Sequence, residues 1–416
     1  MLTTSTHHTP TGANRVTPDW TTRLALMLVN GLVFQLAYSA CDAAAARAQV
    51  TRHVATAWDA QTPLIPWMVL PYLVSAPLLA LGFFLAVDRH AVRAYSQRLL
   101  LTTAFGCLVF ALWPLSFQGA RPVPADEPWS TLYRLLHAVD GPFNQCPSLH
   151  VAFMVVLWPT ARTALRTRLA RTVFALALSV VAAATVFTHQ HHLLDLPAGV
   201  LLGLLACRFV PARREEPAVA LHYGVAAIVA VVMTLTLQPV SLRLGSAWLA
   251  VCAAAVAWAY VRGDAQFLHK RDGRFPLWSW LLYGPYLVGY QITWALVRWR
   301  ERHQTPVWRC GPQLLVGRRL SSREASALLP AQCTVIDLAN ELTETRALRV
   351  GASRRYHAVA MLDLRSVPAA ARAQVLQLLQ HEHEHGRTVF LHCAMGYHRS
   401  RDMATAFLTS RSRRET

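Results

Sequence analysis

Long apolar stretches, separated by short and mostly basic loops, run through the first 300 residues of the chain. A helix that crosses the hydrocarbon core of a bilayer needs about 20 apolar residues. Nine stretches are candidates for such helices: 24–41, 60–87, 99–120, 141–161, 172–194, 196–207, 217–242, 244–261 and 275–297. The pattern predicts an all-α polytopic membrane helical bundle of six core helices and two additional helices. The ninth segment either spans the membrane or lies in its interface, and the Gly284-Pro285 pair in its middle is expected to weaken it as a straight span.

The pattern changes after Arg298. Short β-type runs (Thr334–Leu338, Ala358–Leu364 and Thr388–His392) alternate there with an amphipathic stretch, 368–385. That alternation predicts a small α/β domain. We therefore expect four parts: a polar N-terminal tail (1–21), a six-helix membrane domain (22–215), additional membrane segments (216–300) and the α/β domain (301–416).

The composition supports a membrane protein. Of the 416 residues, 54% are hydrophobic and 15% are charged, and the mean hydropathy is +0.29. A formal charge of +18 would suggest a nucleic-acid partner for a soluble protein. The arginines gather between the apolar stretches, as orientation in a bilayer requires, so we expect membrane lipids and no nucleic acid as partners. The eight cysteines show no paired spacing, and we expect no disulfide framework, metal or other cofactor.

The arginine-rich loops predict the orientation of the helices. The loops 88–98, 162–171 and 208–216 are arginine-rich and should face the cytoplasm. The loop 118–140 balances arginine with acidic residues and should lie outside. This alternation places the N-terminus in the cytoplasm.

Two polar sequences mark the outer mouths of predicted helices: "NQCPSLHVAF" (144–153) and "TVFTHQHHLLDLPAG" (185–199). His191 and Asp195 are four residues apart, so on a helix they would share a face and the carboxylate would hold the imidazole in one tautomer. Such a histidine can attack phosphorus, and His150 can protonate the leaving oxygen. The alternatives are interfacial polar residues that only mark helix starts, or a metal site, for which no second ligand set has a convincing spacing.

These motifs resemble the type-2 phosphatidic acid phosphatase superfamily over about residues 60–210, and they look most like its inositol phosphorylceramide synthase branch. The resemblance implies that His191 forms a phosphohistidine, Asp195 orients it and His150 is the acid. The family's first motif remains only as Arg121-Pro122, with Pro114 at its lysine position. By resemblance, the substrate phosphate would be bound by Arg121, Ser148, Thr188 and His189.

The sequence "VFLHCAMGYHRSR" (389–401) contains a second candidate site, C-x5-R, formed by Cys393 and Arg399. A cysteine at a strand end, followed by a glycine-containing loop and a helix N-terminus, favours an anion cradle that stabilises a thiolate. Arg399 can bind two phosphate oxygens, and Gly396 allows the loop to turn. Ser400 can hydrogen-bond the sulfur, and Asp363 lies where a general acid would be needed.

This signature resembles that of dual-specificity protein tyrosine phosphatases over residues 310–410, as found in bacterial fusions to a phosphatidic-acid-phosphatase-type membrane domain. The resemblance implies a cysteine phosphatase acting on a phosphorylated lipid or a phosphoprotein. We expect an enzyme of the bacterial inner membrane that hydrolyses lipid phosphates outside. The α/β domain is expected in the cytoplasm, because a thiolate oxidises readily outside. Two alternatives remain open: a lipid head-group phosphotransferase, or a catalytically degenerate membrane anchor or transporter.

Overall fold

The computed structural model describes residues 18–212, 218–349 and 354–415. Residues 1–17 of the predicted polar tail, and Arg213 and Arg214 of the predicted cytoplasmic loop 208–216, lie outside the described residues. The chain divides into two compact units. One contains residues 1–214 and 228–246, and the other contains residues 215–227 and 247–416. Residues 247–300 therefore cluster with the C-terminal part of the chain.

Every predicted apolar stretch contains a helix. The helices of the first 300 residues are α1 (Trp20–Arg47), α2 (Val69–Leu85), α3 (Arg89–Leu112), α4 (Trp129–Val139), α5 (Leu149–Ala164), α6 (Arg168–Phe187), α7 (Asp195–Phe209), α8 (Val219–Thr236), α9 (Val240–Arg262) and α10 (Leu277–Arg300). In the described part of the chain, six helices are long and apolar enough to cross a membrane, namely α1, α2 with its preceding turn, α3, α6, α8 and α9. This number fits a multi-pass membrane protein.

Three details differ from the sequence-based expectation. The short amphipathic helix α4 lies within the predicted outer loop 118–140. Arg98 is not a loop residue: it lies within α3, is buried, and donates from Nε to the carbonyl oxygen of Val210 at 3.0 Å. α10 continues through Pro285 as one helix, where we expected the Gly284-Pro285 pair to weaken a straight span.

The close packing of α5 and α7 brings the two outer-mouth motifs together. α5 packs against α2, α3, α6 and α7. Gly203 of α7 lies so close to α5 that a Cβ atom there would come within 2.7 Å of the carbonyl oxygen of Ala152. The N–H of Ser148, the N-cap residue of α5, donates to the carbonyl oxygen of Asp195 at 3.1 Å. The starts of these two helices are therefore fixed to each other.

The second unit contains a five-stranded mixed sheet. Its strands are β1 (Val307–Arg309), β2 (Leu314–Arg318), β3 (Cys333–Ala339), β4 (Arg354–Met361) and β5 (Val389–Cys393), and its helices after α10 are α11 (Ser322–Leu328), α12 (Arg346–Arg349), α13 (Ala369–Glu384) and α14 (Arg399–Glu415). The strand order is β1-β2-β5-β3-β4, with only β1 antiparallel to its neighbour. The small mixed sheet is consistent with the predicted α/β domain, and β3, β5 and α13 coincide with the predicted runs to within one or two residues, whereas β4 shares only 358–361 with the predicted run 358–364. The sequence reading did not predict β1 and β2.

The sheet order places Cys393 at the carboxyl edge of a central strand. β5 lies between β2 and β3, and all three strands are parallel, so their carboxyl ends meet at one edge. Met403, Ala404 and Phe407 of α14 pack into the apolar core beneath the sheet. The loop between Cys393 and Arg399 is thus held between a buried strand and a well-packed helix.

Candidate functional site

The Asp195 carboxylate holds the turn that contains His191. Oδ2 of Asp195 lies 3.1 Å from Nδ1 of His191 and accepts a hydrogen bond from the N–H of His192 at 2.9 Å. Both side chains are buried. The expectation that His191 and Asp195 share a helix face was wrong, because α7 begins at Asp195 and His191 lies in the turn before it. Because Oδ2 acts as an acceptor in this turn, the contact fits the tautomer of His191 that carries its proton on Nδ1 and leaves a lone pair on Nε2.

His150 lies beside this histidine. The two imidazole centroids are 6.0 Å apart with an interplanar angle of 67°. Nδ1 of His150 lies 3.4 Å from the hydroxyl of Tyr72, which in turn donates a short hydrogen bond to Asp140. Since the Tyr72 hydroxyl donates its hydrogen bond to Asp140, its oxygen can accept a hydrogen bond from the N–H at Nδ1 of His150. The arrangement leaves Nε2 of each histidine available.

An apolar cavity of about 290 Å³ adjoins the two histidines. Its lining includes Phe34 of α1, Leu79 and Phe83 of α2, and Phe153 of α5, together with His150 and His191. Phosphate chemistry by itself needs polar surroundings, whereas an acyl chain needs an apolar space. The cavity can therefore hold part of a hydrocarbon chain next to the imidazoles.

Arg121, the expected phosphate ligand, is hydrogen-bonded within the same unit. Its Nη1 donates to the carbonyl oxygen of Asp140 at 2.7 Å and to Oε1 of Gln190 at 2.7 Å. Nε2 of Gln190 lies 3.2 Å from Nε2 of His137. Burial and the nearby Arg121 guanidinium lower the pKa of His137, so its ring is neutral at pH 7 and its Nε2 can accept a hydrogen bond from the Gln190 amide N–H. Arg121 is thus hydrogen-bonded to Gln190, the residue that precedes His191.

The other expected phosphate-binding residues differ in availability. The hydroxyl of Thr188 donates to the carbonyl oxygen of Ala184 at 2.6 Å, and Nε2 of His189 lies 3.1 Å from the carbonyl oxygen of Thr62. Those polar groups bond to the backbone and not to the histidine pair. In contrast, Oγ of Ser148 is buried and has no hydrogen-bond partner in the described part of the chain. Of these three residues, Ser148 is therefore the one whose hydroxyl is available to bind a ligand.

Sequence reasoning did not identify Tyr72, Asp140 and Gln190. Asp140 also accepts a hydrogen bond from the hydroxyl of Tyr38 at 2.7 Å, so two tyrosines from different helices converge on it. Their separations along the chain are 102 residues for Tyr38 and 68 for Tyr72. No local motif marks these contacts. The only available signal was the presence of polar side chains within or beside apolar stretches.

In the C-terminal part, the structure brings Cys393, Gly396 and Ser400 together. Sγ of Cys393 lies 3.4 Å from Oγ of Ser400. Gly396 has a φ of 75°, and a Cβ atom there would come within 2.8 Å of the backbone nitrogen of Arg318. Both facts exclude a larger residue at this turn. The backbone N–H groups of residues 395–398 donate to no other group in the described part of the chain, as an anion cradle requires.

Arg399 lies at the start of α14 and is buried among acceptors. It forms a short ion pair with Glu341, lies 3.2 Å from Oδ1 of Asp363, and donates to the carbonyl oxygens of Leu338 and Met361 at 3.1 and 2.9 Å. Burial alone would lower the pKa of the guanidinium, but Glu341 and Asp363 raise it well above its usual value. The charge of Arg399 is therefore fixed. The contact with Asp363 joins two of the predicted catalytic residues.

A buried cluster of charged side chains includes His392, the residue that precedes Cys393 on β5. Nε2 of His392 lies 2.8 Å from Glu344, and Nζ of Lys270 lies 2.6 Å from Oδ2 of Asp337. Burial would lower the pKa of His392, but Glu344 and Asp337 raise it. Burial would raise the pKa of Asp337, but Lys270 and His392 lower it. Asp337, Glu344 and His392 could hold a metal ion, although the Lys270 ammonium already supplies positive charge there. The sequence reading missed this cluster.

The described helices therefore place a buried imidazole–carboxylate pair beside an apolar cavity, and six of them are long and apolar enough to cross a membrane. Residues 95–218 match the family model described as the PAP2 superfamily, so a PAP2 superfamily domain is found there. The match includes Arg121, His150, His191 and Asp195. Members of this superfamily are phosphatases, and the domain indicates a phosphatase or phosphotransferase of lipid phosphates. No curated protein and no solved structure matches the chain.

Proposed function

We propose that the membrane domain hydrolyses phosphate esters of lipids through a phosphohistidine on His191. The observation that carries this proposal is the apolar cavity of about 290 Å³ whose lining includes both His150 and His191. A water-soluble phosphate ester has no hydrocarbon chain to bury in this cavity. The burial of an acyl chain contributes about 0.8 kcal/mol of binding free energy per CH₂ group. The lipid would be bound by its chain, with its phosphate held at the histidine pair.

In the proposed first step, Nε2 of His191 attacks the phosphorus. The P–N bond forms as the bond to the lipid oxygen breaks, and His150 gives a proton to that oxygen. Asp195 keeps Nδ1 of His191 protonated and stabilises the positive charge that develops on the ring. In the second step, water attacks the phosphorus, the P–N bond breaks, inorganic phosphate leaves, and the proton of the water returns to His150. Arg121 and the buried hydroxyl of Ser148 are the proposed ligands of the phosphate oxygens, and Thr188 and His189 would need to rearrange to contribute.

An alcohol could replace water in the second step. The protein would then transfer the phosphoryl group or head group, as the resemblance to the inositol phosphorylceramide synthase branch suggests. The two activities differ only in the acceptor that reaches the phosphohistidine. Mixed micelles containing a lipid phosphate, with and without an acceptor alcohol, distinguish them: hydrolysis predicts release of inorganic phosphate in both, and transfer predicts a new phosphate ester only with the alcohol.

The C-terminal domain is proposed to be a cysteine-dependent phosphomonoesterase of the dual-specificity type. Support comes from the free backbone N–H groups of residues 395–398, the Cys393–Ser400 contact and the fixed charge of Arg399. An incoming phosphate would replace Asp363 as a partner of Arg399, and this exchange would leave the Asp363 carboxyl beside the leaving oxygen.

The experiment that tests both sites is phosphate release from a panel of lipid phosphates and aryl phosphate by the His191→Ala and Cys393→Ser proteins. Two independent sites predict that each change abolishes a different part of the activity; a degenerate anchor predicts none in either.

We further propose that the protein lies in a bacterial inner membrane, with the N-terminus and the C-terminal domain in the cytoplasm and the His191 site outside. Cys310 is exposed and can report the location of the domain when it is the only cysteine left. A membrane-impermeant thiol reagent should label it only after cell lysis. Labelling of intact cells would place the domain outside.

A further inference from the structure

One side of α10 forms a wall of the Cys393 site. The hydroxyl of Tyr290 donates to Oδ2 of Asp363 at 3.2 Å. One turn further along the helix, Trp294 packs with Ala394 and Met395 of the loop that follows Cys393. The predicted acid and the predicted phosphate loop are therefore both in contact with α10.

The C-terminal end of α10 is also fixed to this loop. Nη2 of Arg300 donates to the hydroxyl of Tyr397 at 3.1 Å, and Tyr397 forms a short hydrogen bond with Glu301. The indole nitrogen of Trp294 donates to the carbonyl oxygen of Arg319 at 3.0 Å. These contacts extend over the last three turns of the helix. The phosphate loop and α10 consequently form one structure.

The opposite side of α10 is an exposed apolar stripe. Its residues recur at helical spacing on one face and are 49–83% exposed: Leu277, Leu281, Val288, Ile292, Leu296 and Trp299. The stripe extends for about 33 Å along the helix at 1.5 Å per residue. Arginines lie at its two ends, at Arg271, Arg274, Arg298, Arg300 and Arg302. Such a surface is costly in water and suited to lipid with anionic head groups at its ends.

The packing of α10 identifies hydrocarbon as the occupant of this face. The buried side of α10 contributes Tyr283, Tyr286 and Leu287 to the same apolar cluster as Val256 and Tyr260 of α9. α9 is one of the helices long and apolar enough to cross a membrane. α10 itself is not among those helices, so its exposed apolar face suits the membrane interface, at the boundary of head groups and acyl chains. α10 thus separates the phosphate loop from the lipid by about one helix diameter, 10–12 Å.

Resting on the proposed function of Cys393, we propose that this site takes phosphomonoesters carried by membrane lipids and not phosphoproteins. The substrate reaches the phosphate loop beside α10, with its acyl chains still in the bilayer. The thiolate of Cys393 forms an S–P bond while the P–O bond to the lipid breaks and Asp363 protonates the lipid oxygen. Water then breaks the S–P bond, inorganic phosphate leaves, and its proton returns to Asp363. The two catalytic sites of the chain would therefore both act on lipid phosphates.

The test uses the full-length His191→Ala protein in mixed micelles, so that the membrane site is silent and membrane sidedness plays no part. The kcat/KM that depends on Cys393 is measured for phosphatidic acid, a phosphotyrosine peptide and p-nitrophenyl phosphate, with Cys393→Ser as the blank. We expect phosphatidic acid to exceed the peptide by at least about tenfold. A preference for the peptide would overturn the inference.

Charge variants test the role of the stripe. Ile292→Glu should lower the ratio of phosphatidic acid to p-nitrophenyl phosphate turnover by at least about tenfold. Leu328→Glu introduces the same charge at an exposed aliphatic residue on α11, away from the stripe, and should leave the ratio unchanged. An unchanged ratio in Ile292→Glu would contradict the inference. If Ile292→Glu loses both activities by misfolding, the inference is tested only by the preference of the His191→Ala protein between phosphatidic acid and the peptide. Absence of p-nitrophenyl phosphate turnover that depends on Cys393 would overturn the proposed phosphatase itself, whereas aryl turnover without lipid preference overturns only the inference.

Discussion

Nδ1 of His191 lies 3.1 Å from Oδ2 of Asp195, and this contact leaves Nε2 as the ring nitrogen with a free lone pair. A carboxylate at this position also stabilises the positive charge that forms on the ring during phosphoryl transfer. The same oxygen accepts a hydrogen bond from the N–H of His192, and this bond holds the turn that contains His191 in place. The proposed reaction of the membrane domain depends on this pair.

The first prediction concerns the tautomer of His191. In Asp195→Asn, the amide can donate to Nδ1 and move the ring proton to Nε2, which removes the nucleophilic lone pair. In a Cys393→Ser background, lipid phosphate turnover should fall by about 10³–10⁴-fold. The matched control is Asp59→Asn, because Oδ1 of Asp59 accepts from the nearby N–H of Leu193 at 2.7 Å, which an asparagine can still do. Comparable losses in the two variants would argue against a tautomer role for Asp195.

The second prediction concerns the leaving group at the membrane site. Removing the imidazole in His150→Ala should slow lipid phosphate turnover by about 10²–10⁴-fold. An aryl phosphate, whose leaving oxygen needs no proton, should lose much less. Tyr72→Phe should show the same trend more weakly, because it removes only the hydroxyl beside Nδ1 of His150. Equal losses of His150→Ala on both substrates would contradict the acid role.

The third prediction concerns the acid of the C-terminal domain. In a His191→Ala background, Cys393→Ser should abolish turnover of an aryl phosphate. Asp363→Ala should lose about 10²–10⁴-fold on alkyl phosphates and less on activated aryl phosphates. Measuring kcat/KM for both kinds of ester with both variants checks this difference. An Asp363→Ala protein equally impaired on both kinds would show that Asp363 acts only as a partner of Arg399.

The fourth prediction concerns pH and the buried Lys270. The pKa of Asp337 lies below its usual value of 3.8, so its stabilising effect is complete above that value and is lost as the pH falls through the lowered pKa. Lys270→Met should raise this pKa and cost about 3–5 kcal/mol, because the buried Asp337 carboxylate loses its partner. Residual aryl phosphatase activity, measured after incubation at a series of acid pH values, should therefore disappear at a higher pH than in wild type.

The double variant Lys270→Met/Asp337→Asn provides the control for this prediction. It removes the uncompensated carboxylate, so it should recover part of the lost acid resistance. Coincident pH profiles of Lys270→Met and the wild-type protein would show that the ammonium does not hold the Asp337 charge.

The sequence predicted the helices, most of the sheet and the two motifs because those features depend on local pattern. "PSLH" precedes α5, the His191–Asp195 pair precedes or begins α7, and C-x5-R follows a β-type run. The apolar stretches likewise specify helices by length and composition alone. Strands β1 and β2 were missed because they are short and lie in a stretch without clear alternation.

The partners of the motif residues could not be predicted because they lie far away in sequence. Tyr72, Asp140 and Lys270 approach the sites only after the helices and the sheet have packed. The pairing of Arg399 with Glu341, 58 residues upstream, similarly depends on β3 and β5 being neighbours. A local motif identifies the reacting atoms, whereas tertiary contacts determine their protonation and orientation.

Trapping the phosphoenzyme tests the central claim most directly. Full-length protein carrying Cys393→Ser is mixed with phosphatidic acid labelled on its phosphate and then quenched in base, where phosphohistidine survives. A phosphohistidine on His191 predicts an acid-labile label on the peptide that contains His191, and no label in the His191→Ala/Cys393→Ser protein. Continued lipid phosphate turnover by that double variant, or a label on a different residue, would contradict the proposed nucleophile.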